Sequence, residues 1–308
     1  MPLLIQNKRL DCITSTAELF EKYPHLQENA RKFRSMPPVY VDPKDLLYIQ
    51  QREFAATTPA DNSVSVIGSE DATTCHLVVL RHTGSGAVCL AHCDGSSTWS
   101  EVPLLVKAVM SLSDISKEGR LELHLAGGFN DELKISAKLS HDILTAFQKM
   151  KEDIHLETCC ITEMNDIVVD DGTHRPIVYG ISVNVRTGKV FRPTFTYKGP
   201  AKELRSARTF NKGQMANTYD SSRGLVQIGP CKWSENLITD SGYWLPQDDD
   251  TILKTLSTSP KAEPPNFVPD LRATFQFILD HPDCDKLFPG GQPQFYQRTA
   301  SGDWKSAV

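Results

Sequence analysis

Ser-Glu-Asp-Ala-Thr-Thr-Cys-His-Leu-Val-Val-Leu-Arg-His-Thr-Gly-Ser-Gly-Ala-Val-Cys-Leu-Ala-His (69–92) is the stretch on which the fold turns. His76 to Arg81 is a nearly continuous apolar run, Thr83-Gly84-Ser85-Gly86 has turn chemistry, and Ala87 to His92 is a second run. Two such runs around a glycine-rich turn predict a β-hairpin. Cys75 heads the first strand and His92 closes the second, 17 residues later. With the turn over 83–86, both lie near the open end of the hairpin, within reach across one or two strands. A thiol facing an imidazole is the smallest equipment of a cysteine hydrolase.

Outward from the hairpin, the rest of the chain reads as a large mixed sheet with helices. On the N-terminal side, Ser15 and Glu18 form a capping box for a helix with Ala17, Leu19, Phe20 and Leu26 among its apolar positions, and Pro24 marks a kink. Leu46 to Ile49 and Val64 to Ile67 read as strands. On the C-terminal side, Glu101-Val102-Pro103 opens a helix with proline in its first turn, followed by a strand at Arg120 to Leu125. A long helix runs from Asp131 to Met150, with Leu133, Ile135, Leu139, Ile143, Leu144 and Phe147 as apolar positions. Strands follow at Ile154 to Ile161, Pro176 to Val183 and Val190 to Tyr197. Residues 198 to 248 read mostly as loops around a strand at Leu225 to Ile228, and helices close the chain at Asp249 to Leu256 and Pro269 to Leu279. No stretch has the character of an inter-domain tether, so a single α+β catalytic domain over 1–308 is expected. Its N-terminal helical extension covers about 1–40 and its C-terminal loop and helix extension about 198–308.

Composition sets the chemical context. Thirty-three basic and 38 acidic residues leave a formal charge of −5, without the basic face of a nucleic-acid binder. No apolar run approaches a membrane span and the N-terminus is not a leader, so a soluble cytosolic or nuclear protein is expected, with neither membrane nor nucleic acid as partner. Eight cysteines in 308 residues are too sparse for a disulfide scaffold and are expected as thiols.

Each chemical reading has a bland competitor. Free cysteine is most often a packed, inert residue, but Cys75 stands where the polar run Glu70, Asp71, Thr73, Thr74 meets a strand, a junction with backbone N–H groups free for an oxyanion. His76 points to the opposite face of the strand from Cys75, and His82 lies beside the turn, which leaves His92 as the partner. Ser69, Asp71 and Asp94 are the nearby groups able to orient it, and local sequence does not choose among them. Cys75, His76, Cys89, His92 and Cys93 lack the paired spacing of a structural zinc site. Gly127-Gly128 lacks both phosphate-loop fingerprints and reads as close backbone packing.

Several segments together carry a family resemblance: Leu-Leu-Tyr-Ile-Gln-Gln-Arg-Glu (46–53), Gly-Ser-Glu-Asp-Ala-Thr-Thr-Cys-His (68–76), Val-Val-Leu-Arg-His-Thr-Gly (78–84), His-Cys-Asp-Gly (92–95) and Leu-Ser-Thr-Ser-Pro-Lys-Ala-Glu-Pro-Pro-Asn-Phe-Val (256–268). The chain resembles the eukaryotic protein N-terminal asparagine amidohydrolases along nearly its whole length, including the Met1-Pro2-Leu3-Leu4 start. That family is similar in its core to the glutamine deamidases of bacterial chemotaxis and of necrotizing toxins, which use a Cys/His pair with a hydroxyl residue on an α/β/β sandwich.

The resemblance implies Cys75 as nucleophile, His92 as general base and acid, and Ser69 as the residue that orients His92. It implies hydrolytic deamidation of an N-terminal asparagine in peptides and proteins, giving aspartate and ammonia through a thioester, without cofactor or metal. The Thr74 and Cys75 backbone would hold the oxyanion, and Asp71, Asp94 and Glu101 are the local carboxylates able to bind the α-amine. Two other readings stay open: a deamidase of internal Gln or Asn in a protein partner, and a non-catalytic module that binds N-termini.

Overall fold

The computed structural model describes residues 3–10, 12–114, 116–210 and 213–307. Met1 and Pro2, part of the quoted start, lie outside the described residues.

Among the described residues, eight strands form one mixed sheet in the order Ala216–Asn217, Glu53–Thr57, Val88–Cys93, His76–His82, Leu121–Gly127, Ile154–Ile161, Leu3–Ile5, Lys8–Arg9. The expected hairpin lies at its centre, antiparallel, with Leu77 opposite His92 and His76 opposite Cys93. His76 to Leu80 are all buried, which is what an almost unbroken apolar run becomes when both faces of a strand are covered. The helices Thr98–Leu112 and Ile135–Gln148 pack on each other and against the hairpin strands or their neighbours. A four-stranded sheet, Val190–Phe191, Ile181–Asn184, Val66–Ser69, Leu46–Tyr48, carries Ser69 at the end of its third strand.

The buried core draws on almost the whole chain, from Leu3 to Trp304. The N-terminal segment packs into it: Leu3–Ile5 runs parallel to Ile154–Ile161, and Leu19, Leu26 and Phe33 are fully or almost fully buried. Ser15 caps Thr16–Lys22 by accepting from the Glu18 N–H, and Pro24 opens a second helix, Pro24–Ser35, instead of kinking the first. Ala17 is exposed.

Other expectations shift where long-range contacts outweigh local pattern. The helix placed at Glu101 starts a turn earlier, at Thr98, so Pro103 is an exposed interior residue. It forfeits one backbone bond, offset by the burial of Val102, Leu105, Val106 and Val109. The helix placed at Asp131 starts at Ile135, because the Asp131 carboxylate accepts from the Ile135 and Ser136 N–H groups at 2.9 and 2.8 Å; Leu133 is left 68% exposed. The strand read over Pro176 to Val183 is broken into His174–Pro176 and Ile181–Asn184. Buried Asn165 holds the break open: its main-chain carbonyl accepts from Ile177 N–H and its side-chain carbonyl from Val178 N–H, while its amide donates to the Gly128 and Val178 carbonyls. The strand read over Val190 to Tyr197 is likewise split, into Val190–Phe191 and Pro193–Thr194. Residues 198 to 248 contain two helices that the loop reading missed, Lys202–Arg208 and Glu235–Trp244. The first delivers Arg205, wholly buried, to Glu53 at 2.6 Å. Its short apolar pattern gave no local signal, since its anchor is an ion pair 152 residues away.

Candidate active site

Strand geometry decides which side chains share a face. Leu77 and His92 are directly opposite in the hairpin, so their side chains lie on one face. Cys75 precedes Leu77 by two and lies on that face too, diagonal to His92, a relation that places Cβ atoms about 7 Å apart or less. Both side chains line one cavity of about 410 Å³. His76 takes the other face and hydrogen-bonds Ser140 of the helix Ile135–Gln148 at 2.6 Å.

The Cys75 backbone is held by a glycine contact. Gly128 N–H donates to the Cys75 carbonyl at 2.9 Å, and a Cβ on Gly127, whose φ is 117°, would lie 2.4 Å from that same oxygen. Gly127-Gly128 is thus a close-approach turn, as its sequence predicts. The N–H groups of Thr74 and Cys75 donate no hydrogen bond among the described residues, which leaves two backbone dipoles for a developing negative charge.

Ser69 arrives from the other sheet. Its Oγ is 2.8 Å from His92 Nδ1, and the two residues are 0% and 4% exposed. Local sequence left Ser69, Asp71 and Asp94 open as partners of the imidazole; the hydrogen bond is made by Ser69.

Electrostatically, the pair is poised neutral. Burial lowers His92 to about 4, with Asp94, Asp71 and Glu53 pulling the other way. Burial pushes the Cys75 thiol well up, and Asp94, Glu263 and Glu101 add to it. A neutral imidazole can take a proton from a thiol, and burial favours the protonated form of the thiol until it does.

The cleft wall is acidic. Asp71, in a left-handed turn at φ 63°, pairs with Lys198 and accepts from Asn266 at 3.2 Å. Asp94 accepts from Gln51 at 3.2 Å and faces Arg52 at 3.8 Å. Thr74 contacts Thr258 at 3.1 Å through its hydroxyl. Glu101 stands apart: it is 0% exposed, neither carboxylate oxygen has a well-formed hydrogen bond, and it is not among the cleft-lining side chains. Burial and then Asp94 raise it to about 7, only partly offset by Arg52 and the adjacent Cys93 thiol. Glu70, raised to about 7 by burial and then Asp71 against the pull of Lys198, also lines the cleft.

Sequence reasoning missed Lys198, Glu263, Asn266 and Asp270 as cleft residues. Glu263 lies within the quoted stretch 256–268, but its Ser-Pro and Pro-Pro neighbours read only as a turn. Among the described residues no cluster of three or more His, Cys, Asp or Glu is arranged to hold a metal, and no helix is long and apolar enough to cross a membrane.

The family model described as protein N-terminal asparagine amidohydrolase matches residues 36–306. Two mammalian relatives bearing that name, from Mus musculus and Homo sapiens, are 47% and 46% identical over 306 residues, covering 99% of this chain and 98% of each relative. A third, from Arabidopsis thaliana, is 32% identical over 282 residues, covering 84% of this chain and 80% of its own.

Proposed function

This chain belongs to the protein N-terminal asparagine amidohydrolase family, and we propose that it hydrolyses the side-chain amide of an N-terminal asparagine to aspartate and ammonia. The observation that carries the mechanism is the Ser69 Oγ to His92 Nδ1 hydrogen bond at the cleft that Cys75 lines. In the tautomer in which Nδ1–H donates to Ser69, Nε2 is the basic nitrogen. Nε2 takes the thiol proton as Sγ attacks the carboxamide carbon, and the oxyanion is received by the Thr74 and Cys75 N–H groups. The imidazolium then protonates the departing ammonia, and the thioester is opened by a water that His92 deprotonates.

The acidic wall supports an ammonium-bearing substrate. Asp71 and Asp94 are among five carboxylates that share the cleft lining with two lysines, an excess of acidic groups, while Glu101, behind the wall, acts through its field alone. Asparagine is separated from glutamine by geometry: a further methylene carries the carbonyl past the two N–H donors. We read the architecture as the α/β/β sandwich of cysteine deamidases in one catalytic domain. Conversion of a neutral N-terminal side chain to a carboxylate suits a role in N-terminus-dependent protein turnover, which we place in the cytosol or nucleus.

A peptide that begins with asparagine should gain about one mass unit and release ammonia, and Cys75→Ala should abolish both. Full activity in Cys75→Ala refutes the mechanism. Equal turnover of an N-acetylated peptide points instead to an internal deamidase, and tight peptide binding with no turnover to a binding module.

A further inference from the structure

Five carboxylates line the cleft: Glu70, Asp71, Asp94, Glu263 and Asp270. Four of them already have a cation. Lys198 lies 3.7 Å from Glu70 and 3.8 Å from Asp270 and pairs with Asp71; Lys202 lies 2.5 Å from Asp270; Arg52 lies 3.8 Å from Asp94. Glu263 has no ion pair among the described residues. Hydroxyls alone serve it, and all on one oxygen: Oε1 accepts from Ser257 at 2.5 Å, Ser259 at 3.4 Å and Thr73 at 3.5 Å. These donors fix the carboxylate and leave Oε2 unused.

We propose that Glu263 is the group that receives the α-ammonium of the substrate, supplying through Oε2 the contact of the one cleft carboxylate that, among the described residues, no cation pairs. This rests on the N-terminal asparagine reading above. In asparagine the α-nitrogen is three bonds from the carboxamide carbon, at most about 4 Å away, so its partner must lie beside Cys75. Glu263 meets that condition: it bonds Thr73, two residues from the nucleophile, and the segment carrying it is clamped there by the Thr258 to Thr74 contact and by Tyr179 donating to the Ala262 carbonyl at 3.1 Å. It is also, after Asp94, the carboxylate whose field acts most on the Cys75 thiol. An ammonium seated there cancels that field and favours the thiolate, so a free α-amine assists both binding and chemistry.

The test compares a peptide beginning with asparagine and the same peptide with a succinamoyl cap, which keeps the side-chain amide and lacks the amine. The wild-type protein should favour the free amine in kcat/KM by about 10- to 100-fold. Glu263→Gln should reduce that preference to within about threefold by slowing the free-amine peptide while the capped peptide is turned over no more slowly than by wild type, since the field on Cys75 is gone, and Glu263→Asp, whose charge is withdrawn by one methylene, should be intermediate. An unchanged preference in Glu263→Gln, or an equal loss on both peptides, overturns the assignment. If Glu263→Gln does not fold, an unchanged preference in Glu263→Asp overturns it alone. Absence of wild-type turnover on the free-amine peptide refutes the functional reading instead, so the two failures are distinct.

Discussion

Replacing Ser69 by alanine removes one atom and isolates what that atom does. Ser69 Oγ is the hydrogen-bond partner of His92 Nδ1, at 2.8 Å, and neither residue is open to water that could substitute. Loss of Oγ strands a buried ring nitrogen, a penalty of about 1–3 kcal/mol. Part of it falls on stability. The part that falls on the transition state, where the proposed mechanism makes His92 an imidazolium that needs an acceptor at Nδ1–H, lowers kcat by up to about 150-fold with KM little changed. Loss of the bond also releases the tautomer, so the thiol is deprotonated less often and alkylation of Cys75 by iodoacetamide slows with it. Steady-state ammonia release, alkylation rate and thermal melting on one preparation separate these effects. A Ser69→Ala protein that melts lower yet keeps wild-type kcat within twofold, or that loses only KM, would refute Ser69 as the residue positioning His92.

Two further outcomes test the electrostatics and the backbone around Cys75. Glu101, raised from 4.5 to about 7, binds its proton more tightly folded than unfolded; its contribution is fully present below about pH 4.5 and is lost as pH rises through 7. Glu101→Gln should therefore gain about 2–3 kcal/mol on the wild type between pH 4.5 and 8, read by urea denaturation across that range, and a pH-independent difference would refute the buried charge. Gly127→Ala places a Cβ against the Cys75 carbonyl in a left-handed backbone position. It should cost about 2–4 kcal/mol in stability and at least about 100-fold in kcat, whereas an alanine variant with wild-type melting and rate would show that the turn does not hold Cys75.

Local pattern carries far where the signal is short-range. The hairpin, the strands Ile154–Ile161 and Leu225–Ile228, and the helix Asp249–Leu256 lie where apolar runs and turn residues place them, because each is defined by neighbours a few residues away. Alternation along one strand was enough to set His76 on the face opposite Cys75. Local pattern fails at Thr98, Ile135 and Lys202–Arg208, where boundaries follow contacts made elsewhere: helix packing, the Asp131 cap and the Arg205 to Glu53 pair.

Period and spacing within single segments set the central hairpin and the thiol and imidazole at its open end, and the resemblance of five segments between residues 46 and 268 carries the family. Only the fold shows that Ser69 and not Asp71 or Asp94 bonds His92, that Glu101 lies behind the cleft wall, and that Glu263 stands in it without an ion pair among the described residues. Those choices depend on groups from separate sheets or from segments 190 residues apart. Burial and pairing of a charge are properties of what surrounds it in space, and spacing along the chain does not encode them.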